Sequence, residues 1–444
     1  MIVLSDLHEE EVAELVLDLA HATHARLIVE SRTGSGAYRR LSGSGCAELD
    51  LDLERWRDQE RFEQWQASSP EGVVVSASSG LGVEVVLSDP VAVCEADPWL
   101  VTAAYEKDEA GERGGLRAAW LRAGQALCRE PSSAARALIL LGVLGDCADP
   151  RYAPALKELA GGAAWGLEWS RVRGDVAPPW PGPVMALARG GGSLAGCLLV
   201  AGVDSTVRTV QGRDAAARGR VSLSCERPVA LTVLADGTVL CLDEHGYLRL
   251  ESAWAVGPER TGIAGLLDDS PTSAQRLADM LRGQMGTSLA YAEGAGLGIV
   301  VLGDGIGSVR AFGDATDSVS LHEGVVTSLA ALSVPVGDEG TTVPLVYSGG
   351  QDGTVRAWSP GSRPMAGTLM RRSCPVVAMD AVWTAGGPTA VVAWADGLVE
   401  WINWETGVQQ TLRPGPPVRA VALEADGRVF VGMDEALTCF VPMP

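Results

Sequence analysis

Two short segments carry residue types that bind metal ions. Asp6 and His8 follow the apolar run Ile2–Leu4, and Asp146 and Asp149 follow a helical run rich in leucine and alanine. Carboxylate and imidazole groups can ligate a pair of metal ions that activates water for hydrolysis. Such chemistry needs several further ligands close together, and the whole chain has five histidines.

The segment Ile2–His8 resembles the first motif of calcineurin-like metallophosphoesterases, in which Asp-x-His ends a strand and ligates a metal pair. Gly145–Asp149 partly matches the second motif of that family. The third motif, Gly-Asn-His, is absent, because the only asparagine is Asn403. An effector or enzyme with an N-terminal catalytic domain built on Asp6 and His8 therefore stays the alternative. The favoured interpretation is a non-enzymatic protein without catalytic, metal-binding or cofactor-binding residues.

Other sequence features indicate ordinary structural roles. His21 and His24 lie near the end of the first predicted helix, where cationic side chains favour the helix dipole. The Gly-Ser segments at 33–37 and 42–45 lack the lysine of a phosphate-binding loop. They predict turns around a short hairpin.

Composition limits the class of protein. The 444 residues suit two or three domains, and 47% of them are hydrophobic. The net charge of -21 argues against nucleic acid and anionic membranes as partners. The N-terminus has no basic, apolar leader, and no apolar run approaches the roughly 18 residues of a membrane span. The nine cysteines are scattered singly, which is typical of reduced thiols in a cytoplasmic protein.

A repeated pattern occupies the C-terminal part of the chain. The segment Gln351–Trp358 is a turn followed by apolar residues at intervals of three, and it recurs at spacings of mostly about 40–45 residues. The other copies are Asp204–Val210, His245–Leu250, Ile306–Phe312, Asp396–Ile402 and Asp434–Phe440. Short apolar strands joined by Asp-Gly turns predict four-stranded blades that bury their faces by stacking around an axis.

The segment Ser318–Trp358 resembles a WD40 repeat with its four signature side chains, His322, Ser348, Asp352 and Trp358. In that family they form a relay in which the indole donates to Ser, Ser contacts His, and His contacts Asp. The resemblance implies a WD40 β-propeller over about 165–444, with six recognisable blades and a seventh possible. It also implies that these four residues are structural, because buried polar groups need hydrogen-bond partners.

Two departures from a regular repeat have local explanations. The longest spacing contains an insertion at 268–284, where Ser270 as N-cap, Pro271 and a terminal Gly283 predict a helix. The last blade lacks an outer strand, and Trp165–Val172, just before the first blade, could supply it.

The preceding residues predict a small α/β domain at 1–110 and a helical segment at 111–164, so the fold class is a mixed α/β and helical N-terminal region before an all-β propeller. Ala134–Asp146 with Leu156–Leu159 resembles one HEAT-type helical hairpin. Periodicity predicts the other elements, which are helices at 9–22 and 51–67 and strands at 25–30, 73–75 and 83–87.

WD40 propellers bind partner proteins mainly on the face where the residues before the turn aspartates emerge. By resemblance these residues are Val203, Glu244, Gly305, Gln351, Ala395 and Met433. Trp394 and Trp404 are candidate aromatic anchors; packing between blades is the alternative for both. The sequence thus predicts a cytoplasmic interaction scaffold or recognition subunit that binds one or more proteins, within a bacterial signalling or defence complex.

Overall fold

The structure is a computed structural model that describes residues 2–7, 12–17, 27–31, 36–42, 87–108, 113–172, 182–203, 205–223, 227–252, 273–294, 298–337 and 341–443. These residues form two compact units, 1–74 and 75–444. His8, His21, His24, the predicted helix at 51–67 and the predicted strand at 73–75 lie outside the described residues. So does the strand predicted at 83–87, apart from Leu87.

The first unit contains two parallel strands, β1 (Ile2–Leu7) and β2 (Leu27–Ser31), joined through the helix α1 at 12–17. A second helix, α2 (Gly36–Ser42), follows. The prediction of turns around a hairpin in this stretch is therefore wrong. The glycine and serine residues lie at the helix ends, while the interior residues between them favour helix.

The second unit begins with five helices, which are α3 (Pro90–Glu95), α4 (Pro98–Lys107), α5 (Leu116–Arg129), α6 (Ser133–Val143) and α7 (Tyr152–Ala160). Asp89 and Asp97 each cap a helix by accepting two backbone N–H bonds at 2.9–3.3 Å, and each is followed by proline. Proline at this position has no N–H to leave unsatisfied, so both helices start sharply.

A six-bladed β-propeller of antiparallel sheets follows, which confirms the predicted fold class. Blade 1 consists of β4 (Val184–Arg189), β5 (Cys197–Gly202), β6 (Thr206–Gln211) and β7 (Ala217–Ser222). Blade 2 consists of β8 (Pro228–Val233), β9 (Thr238–Asp243) and β10 (Leu248–Ser252). Blade 3 consists of β11 (Ser288–Ala292), β12 (Ile299–Gly303), β13 (Ser308–Phe312) and β14 (Thr316–Ser320). Blade 4 consists of β15 (Val326–Val336), β16 (Thr341–Gly350), β17 (Thr354–Trp358) and β18 (Met370–Arg371). Blade 5 consists of β19 (Val376–Thr384), β20 (Gly387–Trp394), β21 (Val399–Asn403) and β22 (Gln409–Leu412). Blade 6 consists of β23 (Val418–Leu423), β24 (Val429–Met433) and β25 (Ala436–Pro442), and it is completed by β3 (Trp165–Val172).

The ring is closed by the segment that the sequence suggested. Strand β3 pairs antiparallel with β25, from Trp165 opposite Pro442 to Val172 opposite Ala436. The indole of Trp169 donates to the carbonyl of Gly212 in blade 1 at 2.9 Å. The closing strand therefore joins the last blade to the first.

Neighbouring blades interlock through glycines near the ends of second strands. Gly303, Gly349 and Gly432 each face a valine of the next blade's first strand, respectively Val326, Val376 and Val184. A Cβ atom on any of these glycines would lie 2.4–2.6 Å from a valine Cγ1. The absence of a side chain thus allows close packing between blades.

The insertion between blades 2 and 3 contains the helix α8 (Ser273–Leu281), and Gly283 follows with a positive φ of 73°. The predicted cap residues Ser270 and Pro271 lie outside the described residues. Leu277 and Leu281 are buried in one apolar cluster with residues of blades 2 and 3. The helix therefore fills the space between these blades.

Candidate functional site

The four residues of the predicted relay lie in blade 4, and three of them are joined. The buried His322 has its Nδ1 3.1 Å from Asp352 Oδ1 and its Nε2 2.8 Å from Ser348 Oγ. Asp352 also accepts backbone N–H bonds from Glu323 at 3.2 Å and Thr354 at 3.0 Å. These bonds tie the loop before β15 to the turn between β16 and β17.

Trp358 departs from the predicted relay. Its indole N–H donates to the carbonyl of Ser362 at 3.1 Å rather than to Ser348. The chain turns back directly after Trp358, and the hydroxyl of Ser362 donates to the carbonyl of Ser359. This turn brings a backbone acceptor to the indole.

The electrostatics of this group favour a structural role. Burial lowers the pKa of His322 below its ordinary value, against the opposing effect of Asp352. Burial alone would raise the pKa of Asp352, but hydrogen bonds from Thr354, Glu323 and His322 lower it below its ordinary value. A neutral histidine and an ionised aspartate match the observed bonds. Both ring nitrogens of His322, the hydroxyl of Ser348 and both carboxylate oxygens of Asp352 take part in these contacts.

The turns between second and third strands form one face of the propeller, called here the turn face. Its described residues are 203, 205, 244–247, 304–307, 351–353, 395–398 and 434–435. In blades 2 and 3 the turn aspartates are Asp243 and Asp304, two positions before the sites where alignment placed them. Asp243 Oδ1 accepts the N–H groups of His245 and Tyr247 at 3.0 and 2.9 Å, and Asp304 Oδ1 accepts two equivalent bonds. An upstream aspartate thus fixes the same turn.

The helical segment covers part of this face at blades 5 and 6. Arg122 of α5 forms an ion pair with Glu435 at 2.8 Å, and Arg129 donates to the carbonyl of Asp396 at 2.8 Å. Side chains of α5 and α6 lie against Gly415, in the loop between these blades. The helices share one buried apolar cluster with blades 5 and 6.

The predicted face residues fall into an exposed group and a buried group. Val203, Glu244, Gly305, Gln351 and Ala395 are exposed. Glu244 also accepts an ion-pair contact from Arg227 at 3.2 Å.

Two predicted face residues are buried and cannot contact a partner. Met433, the last residue of β24, is fully buried in the cluster shared with the helices. Trp394 is 1% exposed, donates to Glu400 Oε2 at 2.6 Å and lies beneath the guanidinium of Arg372. The prediction that Met433 and Trp394 belong to the binding face is therefore wrong, and packing explains Trp394.

Trp404 is half-buried and stacks on Tyr347 with ring centroids 6.0 Å apart. It therefore packs between blades 4 and 5. Its side chain joins two blades, and it is not one of the exposed turn residues.

Three exposed apolar side chains on or beside the turn face were missed. Ile306 is 79% exposed, Tyr247 48% and Met285 45%. Tyr247 and Met285 are paired in an isolated β-bridge, and the carbonyl of Met285 accepts a bond from Arg310 of blade 3. An isoleucine in place of the turn aspartate was the available signal. Val203, in the turn of blade 1, is also exposed, at 49%.

The first strands enclose an axial channel with a volume of about 430 Å³. Arg189 of blade 1 contacts Asp380 of blade 5 at 3.2 Å, and Asp380 also accepts the N–H of Leu423 of blade 6 at 2.8 Å. This pair joins three blades. Within the described residues no group of three or more His, Cys, Asp or Glu side chains could hold a metal ion.

The second predicted metal motif lies in the turn between α6 and α7. Asp146 is exposed, and Asp149 forms an ion pair with Arg151 at 2.6 Å. Hydrogen bonds from Arg151 lower the pKa of Asp149 to about 2. Asp149 therefore stabilises a helix-connecting turn.

No protein-family model and no curated protein matches this sequence. None of the helices in the described ranges is long and apolar enough to cross a membrane.

Proposed function

We propose that the chain is a WD40-type propeller that acts as a non-enzymatic interaction scaffold or recognition subunit. The His322, Ser348 and Asp352 contacts support the WD40 assignment. The observation that carries the interaction role is the exposure of four apolar side chains on or beside the turn face, of which Tyr247 and Met285 are paired; the other two are Val203 and Ile306. Exposed apolar clusters rimmed by polar residues are typical of protein-binding sites.

The partner binds the turn face of blades 1 to 4, because the chain's own helices occupy the same face at blades 5 and 6. We further propose a cytoplasmic role within a bacterial signalling or defence complex. Scattered cysteines, seven of which are free thiols among the described residues, support a reducing compartment. The strong excess of arginine over lysine supports the bacterial origin.

The test compares capture of partners from the native host by the wild type and two double variants. Ile306→Ser with Tyr247→Ser removes two of the exposed apolar side chains of the turn face. Met365→Ser with Val408→Ser removes two side chains of similar exposure, 56% and 49%, from loops that follow third strands. A partner lost only with the first variant supports the proposal. A partner retained equally by both variants contradicts it.

A further inference from the structure

The loop at 321–325 joins the turns of blades 3 and 4 into one stretch of the turn face. The N–H of His322 donates to the carbonyl of Gly307, in the blade 3 turn, at 3.1 Å. At the other end of the loop, the carbonyl of Val325 accepts the N–H of Gln351, in the blade 4 turn, at 2.9 Å. The loop is therefore held to both turns by its backbone.

Glu323 places an exposed carboxylate on this loop. Its backbone N–H donates to Asp352 at 3.2 Å, so a bond to the main chain fixes the position of the residue. Within the described ranges, Asp352 is paired with His322, whereas Glu323 belongs to no ion pair. The carboxylate is therefore fixed in place and open to a cationic group from outside the chain.

The connection between blades does not require a carboxylate at this position. Glu323 lies three residues before Val326, the first residue of β15. The residues three positions before the first valines of β19 and β23 are Ser373 and Gly415. Since a serine and a glycine serve the same connection in blades 5 and 6, the charge of Glu323 indicates a role outside the fold.

An apolar and an amide side chain flank Glu323. Ile306 is 79% exposed and directly precedes Gly307, the residue that holds the loop to the blade 3 turn. On the other side, a Cβ atom on Gly324 would lie 3.5 Å from Oε1 of Gln351. Ile306 and the Gln351 amide therefore lie on either side of the carboxylate.

The charges described around Glu323 favour a cationic partner. Asp304 and Asp352 are half-buried, and each fixes its turn by accepting backbone N–H bonds. Arg310 of blade 3 is turned to the neighbouring connection, where it donates to the carbonyl of Met285. An anionic partner, such as a nucleic acid or an acidic lipid surface, would be repelled by the carboxylates and by the net charge of -21.

We propose that Ile306, Glu323 and Gln351 recognise a lysine or arginine with an apolar neighbour in the partner protein. The cationic group pairs with Glu323, and the apolar side chain packs on Ile306. Solubility is the simpler explanation for an exposed glutamate. It does not explain an isoleucine of high exposure beside it. The inference rests on the proposed function, because it specifies the chemistry of the partner that binds the turn face.

The probe is a fluorescein-labelled peptide of alternating Lys and Val, and peptides of Gln with Val and of Glu with Val are the comparisons. Anisotropy titrations use the full chain at low and moderate salt. We expect the Lys peptide to bind more tightly than the Gln peptide, and the Glu peptide to bind most weakly. The difference between the Lys and Gln peptides should shrink as salt rises, because salt screens exposed charges.

The test variant is Glu323→Gln, which keeps the size of the side chain and the backbone bond to Asp352. The matched control is Glu405→Gln, in the turn after β21, which replaces another exposed glutamate and changes the net charge equally. We expect Glu323→Gln to bind the Lys peptide about fivefold more weakly, the upper range for an exposed ion pair. The control should bind as the wild type does, and Ile306→Ser should weaken binding of both the Lys and the Gln peptides.

The two variants separate this inference from the proposed function. Weaker binding in Ile306→Ser with no change in Glu323→Gln would overturn the inference and leave the proposed function standing. No change in either variant, or absence of wild-type binding to the Lys peptide at low salt, would overturn both. Equal weakening in Glu323→Gln and Glu405→Gln would also overturn the inference, because it would indicate a general effect of charge.

Discussion

The glycines between blades make a quantitative prediction about how the ring is held together. In Gly349→Ala, the added methyl group would lie 2.5 Å from Cγ1 and 2.8 Å from Cβ of Val376. Contacts below 3.0 Å require one strand to move. Val376 is 1% exposed and β-branched, so its side chain has few other rotamers available.

Overpacking of this kind destabilises a core by about 1–3 kcal/mol. For Gly349→Ala we therefore expect the unfolding midpoint to fall by roughly 1–4 °C, given the size of the unit at 75–444, measured by circular dichroism during heating. The control is Gly124→Ala in the interior of α5, where an added Cβ has no atom within 4 Å. That change should leave stability unchanged or raise it by about 0.5–1 kcal/mol, because alanine favours helix.

A double-mutant cycle assigns the effect to the proposed contact. Val376→Ala removes the Cγ1 atom but leaves the Cβ, so it should relieve part of the clash. The double variant should then be less destabilised than the sum of the single variants. An unchanged midpoint in Gly349→Ala, or strict additivity in the cycle, would refute the interlocking argument.

Two further predictions concern the relay and the helices. His322→Gln breaks contacts to Ser348 and Asp352 and should destabilise the chain by about 1–3 kcal/mol in urea unfolding. Because burial lowers the pKa of His322, the unfolded chain gains a proton first as pH falls below 6.5, so wild-type stability decreases there. Because the pKa of Asp352 is also lowered, the stability of the wild type decreases a second time near and below pH 3.8. The first decrease should be absent from His322→Gln, and a decrease of the same size in the variant would show that other groups cause it. Separately, a chain lacking residues 1–74 should keep its fold and elute as a single monodisperse peak in size-exclusion chromatography. A chain lacking 1–164 should aggregate, since it exposes the apolar cluster of blades 5 and 6. A monodisperse chain without 1–164 would mean that the helices are dispensable.

The sequence predicted the elements whose signals are local. Apolar strands and Asp-Gly turns located the blades, and the missing outer strand indicated closure by Trp165–Val172. The bond from Trp358 to Ser362 was not predictable, because it depends on the path of a loop. Burial of Met433 was missed for another reason. Its own strand looks like the other second strands, and only the docking of distant helices removes it from the surface.

The division of the turn face also explains why the repeats differ. At one position of the third strand, blades 1 to 4 have arginine, at Arg208, Arg249, Arg310 and Arg356. Blades 5 and 6 have Glu400 and Thr438 there, and both are buried. Glu400 accepts the bond from Trp394. Arg249 is exposed and the other three arginines are half-buried, whereas the replacements are buried and hydrogen-bonded.

Sequence divergence between blades therefore follows their surroundings. Where the chain's own helices cover the propeller, polar positions have become part of a buried, satisfied core. Where none of the helices described in 87–443 covers it, charged positions and exposed apolar residues such as Ile306 persist. A polar residue in this turn would support the fold as well as the exposed isoleucine does. Its presence on the uncovered side is the reason to expect a partner there, and not at blades 5 and 6.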